Sequence, residues 1–568
     1  METDKKRKAD HAPMFNAYPD SIGGTLSDMA AFLEEAGGNE VFSSFYILPS
    51  LFHSDLDRGF SVIDYELNRL YATPGDLERI KSLGMDLKLD FVLNHASVLS
   101  KQFQDILKRG DASEYRDFFI DWNKFWEGKG QMTAEGYIQP EDKYLKDMFF
   151  RKPGLPILMV RLPEGKKVPY WNTFYQEVRY PMPDAQDIMR ITDLQYGMAE
   201  NLAKLICGQL AGGVLVQQLK FSPYEECREA VTGFLEANAK YLGQMDLNIR
   251  SPKVWEYYED TLRKLAGYGA KIIRLDAFAY APKTPGERNF LNEPGTWELL
   301  EQLKKLADRY ELTLLPEIHA DYSEKIYEKL AQKGYMTYDF FLPGLVIDAL
   351  ESGSGAYLAA WASELKEKNI RVVNMLGCHD GIPLLDLRGL LPEERIENLI
   401  QIVVDRGGMV KNLHGQKNVY YQVNAAYYSA LGEDDRKFLL ARAIQLFMPG
   451  KPQVWYLDLL AGSNDYEAVK RAGAGGHKEI NRTNLGLLEA RAVLKKEIVK
   501  KQLMLLEFRS QFPAFGFDAE LSAAAEGTKL CLGWKKEDCE AVLTADLSDY
   551  SFEIWTKTGE KSTLLWRE

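Results

Sequence analysis

Four short segments of this chain end apolar runs on carboxylates or histidines: DFVLNH (90–95), IIRLDAFAY (272–280), LPEIH (315–319) and CHDG (378–381). The run Ile272-Ile273-Leu275 reads as a buried strand, yet it carries Arg274 and ends on Asp276. A charge in such a place is costly unless it is paired or used. Singly, each segment has an ordinary explanation. Asp276 would pair with Arg274, two residues away on the same strand face, and His379-Asp380 would form a turn into Gly381. Together they present three carboxylates, Asp276, Glu317 and Asp380, and three histidines, His95, His319 and His379, with His477 nearby in a glycine-rich loop. That set suits cleavage of a glycosidic bond, in which one carboxylate traps the sugar covalently and a second carboxylic acid protonates the leaving oxygen. The nucleophile must be ionised, which a neighbouring Arg274 favours. The acid must keep its proton near neutral pH.

Something must bring these segments together. Strand-like runs alternate with amphipathic helices, which predicts a parallel α/β architecture. Candidate strands are 42–49, 85–95, 244–248, 271–278, 312–319, 335–343, 370–380 and 452–460. Eight strands are the number of a (β/α)8 TIM barrel, in which functional groups gather at the C-terminal strand ends. Ser251-Pro252 opens one intervening helix with an N-cap and a first-turn proline, its apolar face formed by Val254, Tyr258, Leu262 and Leu265. The resulting division is a barrel start at 1–98 with two strands, an inserted domain at 99–176 and a helical insertion at 177–243, whose second helix would begin at Ser222-Pro223. The barrel continues over 244–380, is interrupted by a second inserted domain at 381–435, and ends at 436–505. A C-terminal antiparallel β domain follows at 506–568.

Composition narrows the function. A net charge of −13 argues against polyanionic partners such as nucleic acid or an anionic membrane. No run of about 18 apolar residues is present to span a bilayer, and METDKKRKADHAP at the start reads as a solvated tail. Five cysteines, an odd number without metal-ligand spacing, point to a reducing, cytoplasmic setting. No metal or organic cofactor is expected, and a homodimer is left open.

The four segments, in this order and at barrel-consistent spacing, resemble the signature regions of the α-amylase superfamily, glycoside hydrolase family 13. The resemblance implies that Asp276 is the nucleophile, Glu317 the general acid/base and Asp380 the stabiliser of the transition state, with Arg274, His95 and His379 lining the same glucosyl subsite. DLDRGFSVID (55–64), SKQFQDILKRG (100–110), YDFFLPGLVIDAL (338–350), YYQVNAAYYSALG (420–432), FMPGKPQVWYLDLLAGSNDY (447–466) and EINR (479–482) are further similar to sucrose phosphorylases, from about residue 14 to 505. Such enzymes move glucose from sucrose to inorganic phosphate, a co-substrate, through a β-glucosyl-enzyme. The resemblance implies an Asp57–Arg482 pair closing the glucose pocket, Phe60 stacking on the sugar, and Phe174 and Gln244 among the substrate-binding residues. It implies a phosphate and acceptor site of Lys152, Tyr280, His319, Tyr421 and Gln422.

The chain departs from that pattern at Phe150-Arg151-Lys152-Pro153-Gly154, where sucrose phosphorylases carry Arg-Pro-Arg-Pro-Gly, and at Val419, where an acidic residue is usual. Arg151 adds a cation and Lys152 offers a point charge in place of a planar fork. Both suit a phosphorylated or acidic acceptor, whereas Gln422 fits the sucrose-type pattern; related phosphorylases act on sucrose 6′-phosphate, glucosylglycerate or glucosylglycerol, and these stand beside sucrose as donors. A hydrolase or transglucosidase would differ in needing no phosphate. A non-catalytic binding subunit would not need to keep all three carboxylates.

Overall fold

The computed structural model describes residues 11–151, 154–412, 420–473 and 476–568. Eight parallel strands form one sheet: β1 (Met14–Ala17), β2 (Ser44–Ile47), β3 (Asp86–Val92), β4 (Ala270–Asp276), β5 (Thr313–Pro316), β6 (Thr337–Asp339), β7 (Val372–Met375) and β8 (Lys451–Trp455). Their spatial order is β5-β4-β3-β2-β1-β8-β7-β6, so each strand lies beside its neighbours in sequence. Strands β5 and β6 approach one another without sharing a ladder, which leaves the barrel nearly closed. This is the (β/α)8 TIM barrel that the alternation predicts.

The assignment of strands within it needs correction. Met14–Ala17 is the first strand, and the segment expected at 244–248 is not in the barrel. Instead Lys240–Asp246 pairs antiparallel with His95–Ser97 on one side and with Gln176–Arg179 on the other. The first insertion therefore follows the third strand rather than the second. Four residues, MFNA, are too few to reveal a period, whereas GQMD has the same buried pattern as a barrel strand. The boundary set at 505 falls inside the helix Glu497–Gln511, and the five-stranded antiparallel sheet runs from Glu520 to Arg567.

The helices that wrap the barrel follow simple rules. Pro252–Gly267 starts after Ser251, carries proline in its first turn, and buries Val254, Tyr258, Leu262 and Leu265. Gly295–Asp308 buries Leu299, Leu300, Leu303 and Ala307. Between Gln176 and Lys240 lies a helical unit with its own small core, in which Ile188, Leu202, Ile206, Phe221, Val231 and Leu235 pack together. Its second long helix is Tyr196–Ala211, and its last begins at Arg228, not at Ser222-Pro223. Among the described residues no helix is long and apolar enough to cross a membrane.

Candidate active site

The C-terminal ends of β3, β4, β5 and β7 open into a cavity of about 400 Å³. Asp57, Phe60, His95, Arg151, Phe174, Gln244, Asp276, Tyr280, Glu317, His319 and Asp380 all line it. Arg274, His379 and Arg482 do not: they stand one layer behind and act on the lining carboxylates. Gln422 is buried on the strand Tyr420–Asn424, away from the lining. Lys152 and the side chain of Tyr421 lie outside the described residues.

Arg274 organises the floor. Its Nη1 lies 2.6 Å from Asp90 Oδ1 and 2.9 Å from Asp276 Oδ1, and its Nη2 lies 2.6 Å from Glu317 Oε1. Parallel pairing of β4 with β3 and β5 puts Arg274 level with Asp90 and Leu315, which makes this fork reach both neighbours. The guanidinium is 3% exposed, so these contacts act with little screening. Burial pushes Asp276 well above the ordinary carboxylate range, with Glu317, Asp90 and Asp380 adding to the rise against Arg274. Burial also works to raise Glu317, but Arg274 and His319 outweigh it and hold that group down to about 2. Of the two, Asp276 is therefore the easier to protonate and Glu317 the harder.

Asp380 has a different environment. Burial opposes its charge, yet His379 and Lys478 hold it well below the usual range. Lys478 Nζ is 2.7 Å from Asp380 Oδ1, and His379 Nε2 is 3.1 Å from Oδ2. The His379 ring lies flat against Phe60, with centroids 5.2 Å apart and planes at 9°. Cys378, His379 and Asp380 bring a thiol, an imidazole and a carboxylate within 4.8 Å. The Lys478 ammonium occupies the carboxylate, which disfavours a second cation there.

The expected Asp57–Arg482 pair does not form. Arg482 bonds instead to the His379 carbonyl at 2.8 Å and to Glu479 Oε1 at 3.2 Å. The two segments are tied by Arg58, whose Nη1 donates to the Arg482 carbonyl at 2.9 Å. Asp57 and Arg58 both adopt left-handed backbone, with φ of 50° and 48°, and this turn sends the two side chains in different directions.

At the mouth, Arg151 Nη1 is 3.1 Å from the Tyr280 hydroxyl, and its guanidinium lies 4.8 Å above the Phe174 ring. His319 stacks on Phe340 at 3.9 Å, bonds Asp386 through Nδ1 at 2.9 Å, and places Nε2 3.7 Å from Glu317. Against the cost of burial, Asp386 and Glu317 keep this imidazole charged, its pKa pushed up to about 10. His95 differs: burial lowers it to about 4, so it is neutral, with Nε2 donating to the Phe60 carbonyl at 3.1 Å.

Several functional groups were missed in the sequence. Lys478 lines the cavity where His477 was expected nearby, and Asp386 and Arg388 line it too. Asp90, the first residue of DFVLNH, has its role only through Arg274, which no local pattern shows. Lys283 fixes the Tyr280 turn, its ammonium bonding Asn94 Oδ1 at 3.0 Å, the Tyr280 carbonyl at 2.6 Å and Asp246 Oδ2 at 2.8 Å. Asp386 carries a weak signal, being a charged residue in the otherwise apolar stretch Pro383-Leu384-Leu385-Asp386-Leu387 close to CHDG, whereas Lys283 stands in a polar loop without one.

No family model matches the chain. A sucrose 6(F)-phosphate phosphorylase of Ilumatobacter coccineus is 48% identical over 550 residues, covering 95% of each chain. The chain belongs to the sucrose phosphorylase-like subfamily of glycoside hydrolase family 13. Within that subfamily, a sucrose phosphorylase of Streptococcus mutans is 31% identical over 89% of each chain. The crystal structure of sucrose 6F-phosphate phosphorylase from Thermoanaerobacter thermosaccharolyticum superposes with a TM-score of 0.79 at 32% identity, covering 99% of each chain. An α-amylase from H. orenii shares the fold alone, with a TM-score of 0.58 at 14% identity over 95% of this chain and 90% of that one.

Proposed function

We propose that this glucoside phosphorylase splits sucrose 6F-phosphate with inorganic phosphate, giving α-glucose 1-phosphate and fructose 6-phosphate. The observation that carries the choice of donor is Arg151, whose guanidinium sits at the cavity mouth against Tyr280 and Phe174. A planar fork there matches a phosphoryl group on the leaving sugar. Arg388, also on the lining, adds a second cation. Two relatives that align over most of this chain carry sucrose 6(F)-phosphate phosphorylase as their name.

Asp276 attacks the anomeric carbon while Glu317 gives its proton to the glycosidic oxygen, and fructose 6-phosphate leaves. This step requires that, with substrate bound, Glu317 carries the proton and Asp276 is ionised. Phosphate then enters beside the charged His319 and passes its proton to Glu317. Its oxygen attacks the anomeric carbon and frees Asp276, so configuration is retained. Asp380, kept ionised by Lys478, offsets the positive charge that develops on the sugar. Inorganic phosphate is the co-substrate, and the account calls on no metal or organic cofactor. A cytoplasmic setting, supported by five cysteines without a disulfide, and a homodimeric assembly belong to the same proposal.

The test supplies α-glucose 1-phosphate with fructose, fructose 6-phosphate, glycerate or glycerol and measures phosphate release. Fructose 6-phosphate is expected to give the highest kcat/KM. A preference for fructose would restore sucrose as donor, the reading that Gln422 suggests through the subfamily pattern.

A further inference from the structure

The barrel interior beneath the carboxylates holds a lysine amine that the chemistry above it does not use. Lys88, on β3 two residues before Asp90, is wholly buried where small barrels are filled by apolar side chains. Its Nζ bonds Gln453 Oε1 on β8 at 2.7 Å and the Tyr338 hydroxyl on β6. It lies 3.9 Å from the centroid of the Tyr46 ring and 4.6 Å from that of Tyr338. Two oxygens and two aromatic faces make a cage for an amine deprived of water.

The cage leads to the active site. Tyr46, on β2, donates its hydroxyl to Asp90 Oδ1 and Oδ2 at 3.0 and 2.9 Å. Asp90 holds Arg274, and Arg274 holds Asp276 and Glu317. Amine, ring, carboxylate, guanidinium and the catalytic pair follow one another from the barrel floor to the cavity.

We propose that Lys88 is a positioning residue for glucosyl transfer: caged at the barrel floor by Gln453, Tyr338 and Tyr46, it keeps the Tyr46 hydroxyl on Asp90 and thereby the Arg274 fork in place beneath Asp276 and Glu317. The groups facing it are Tyr46 from β2, Asp90 from its own strand, Arg274 from β4, Glu317 beyond β5, Tyr338 from β6 and Cys378 beyond β7. Burial and Arg274 outweigh Asp90 and Glu317 and hold the Lys88 amine well below the ordinary lysine range, so its part in the column is the place it gives its partners. Lys88 reaches no substrate, so its effect belongs in the ionisation of the pair and not in substrate binding.

The experiment is the pH profile of kcat/KM in Lys88→Met. Loss of the amine frees Tyr46 and Asp90 and loosens the Arg274 fork they hold, which makes the carboxylates harder to ionise, so the acid limb should move up by roughly one pH unit. kcat on the old plateau edge should fall about tenfold while KM stays near its wild-type value. Should that variant fail to fold, Lys88→Met/Gln453→Leu removes the amine together with its polar partner and is read in the same way. Tyr46→Phe keeps the ring over the amine and deletes only the hydroxyl that reaches Asp90, and it should show the same upward shift. An unmoved acid limb in Tyr46→Phe, or in either folded Lys88 variant, overturns the proposal. The inference rests on the roles given to Asp276 and Glu317. Full activity in Asp276→Asn would remove those roles, whereas an unmoved limb in an Asp276-dependent enzyme removes only the role of Lys88.

Discussion

Arg274 Nη1 stands 2.9 Å from Asp276 Oδ1, so the strand that ends on the proposed nucleophile also carries the cation paired with it. The same guanidinium reaches Glu317 and Asp90. Its removal takes away the guanidinium that three buried carboxylates share. Arg274→Met should cost about 3–5 kcal/mol of stability, read as a lowered midpoint in chemical denaturation, and should abolish transfer. Arg274→Lys, which replaces a fork with a point charge, should fold but still lose most of kcat.

Glu317 is needed only where the leaving group must be protonated. Glu317→Gln should lose roughly 10³-fold or more in kcat with sucrose 6F-phosphate but far less with α-glucosyl fluoride, whose leaving group needs no proton. Steady-state rates with the two donors check this. An equal loss with both would remove the acid role.

The charge on His319 depends on Asp386. Its folded pKa lies above the ordinary histidine value of 6.5, so the pair's contribution to stability is complete below that value and is lost as pH rises through about 10. Asp386→Asn should lower the His319 pKa. The rise in KM for phosphate on the alkaline side should then begin at lower pH, in phosphate titrations run at several pH values.

Arg151 is expected to discriminate between donors. Arg151→Ala should lower kcat/KM for sucrose 6F-phosphate by about 10- to 100-fold, the worth of a charge-assisted bond of roughly 1.5–3 kcal/mol. It should change kcat/KM for sucrose little. The ratio of the two constants is the readout.

The helical unit between Gln176 and Lys240 sends no side chain of residues 177–243 to the cavity. Leu202→Ala in its core should cost about 2–5 kcal/mol of local stability, seen as faster hydrogen exchange in residues 185–237. kcat/KM should stay unchanged.

The parts of this site that were legible in the sequence are those where an apolar run ends abruptly on a charge. Asp276, Glu317 and Asp380 stand out because burial next to ionisation is rare. A barrel follows from alternation, but its register does not: MFNA hides a strand by shortness, and the buried half of Lys240–Asp246 imitates one while pairing antiparallel. The Arg58–Arg482 crossing, the Lys478–Asp380 pair and the Lys88 cage join residues 424, 98 and 250 positions apart (the last from Lys88 to Tyr338), and no local pattern encodes such a meeting. Asp57 was given the wrong partner because a left-handed turn at Asp57 and Arg58 decides which of them reaches Arg482.

The most direct test of the account is to find the covalent intermediate. The enzyme is mixed with sucrose 6F-phosphate in the absence of phosphate, quenched in acid within its first turnovers, and digested for peptide mass analysis. The account predicts that the peptide holding Asp276 gains the mass of one glucosyl unit and that added phosphate discharges it as α-glucose 1-phosphate. A glucosyl adduct on Glu317 or Asp380, or first-turnover release of fructose 6-phosphate with no adduct on any peptide, would contradict it.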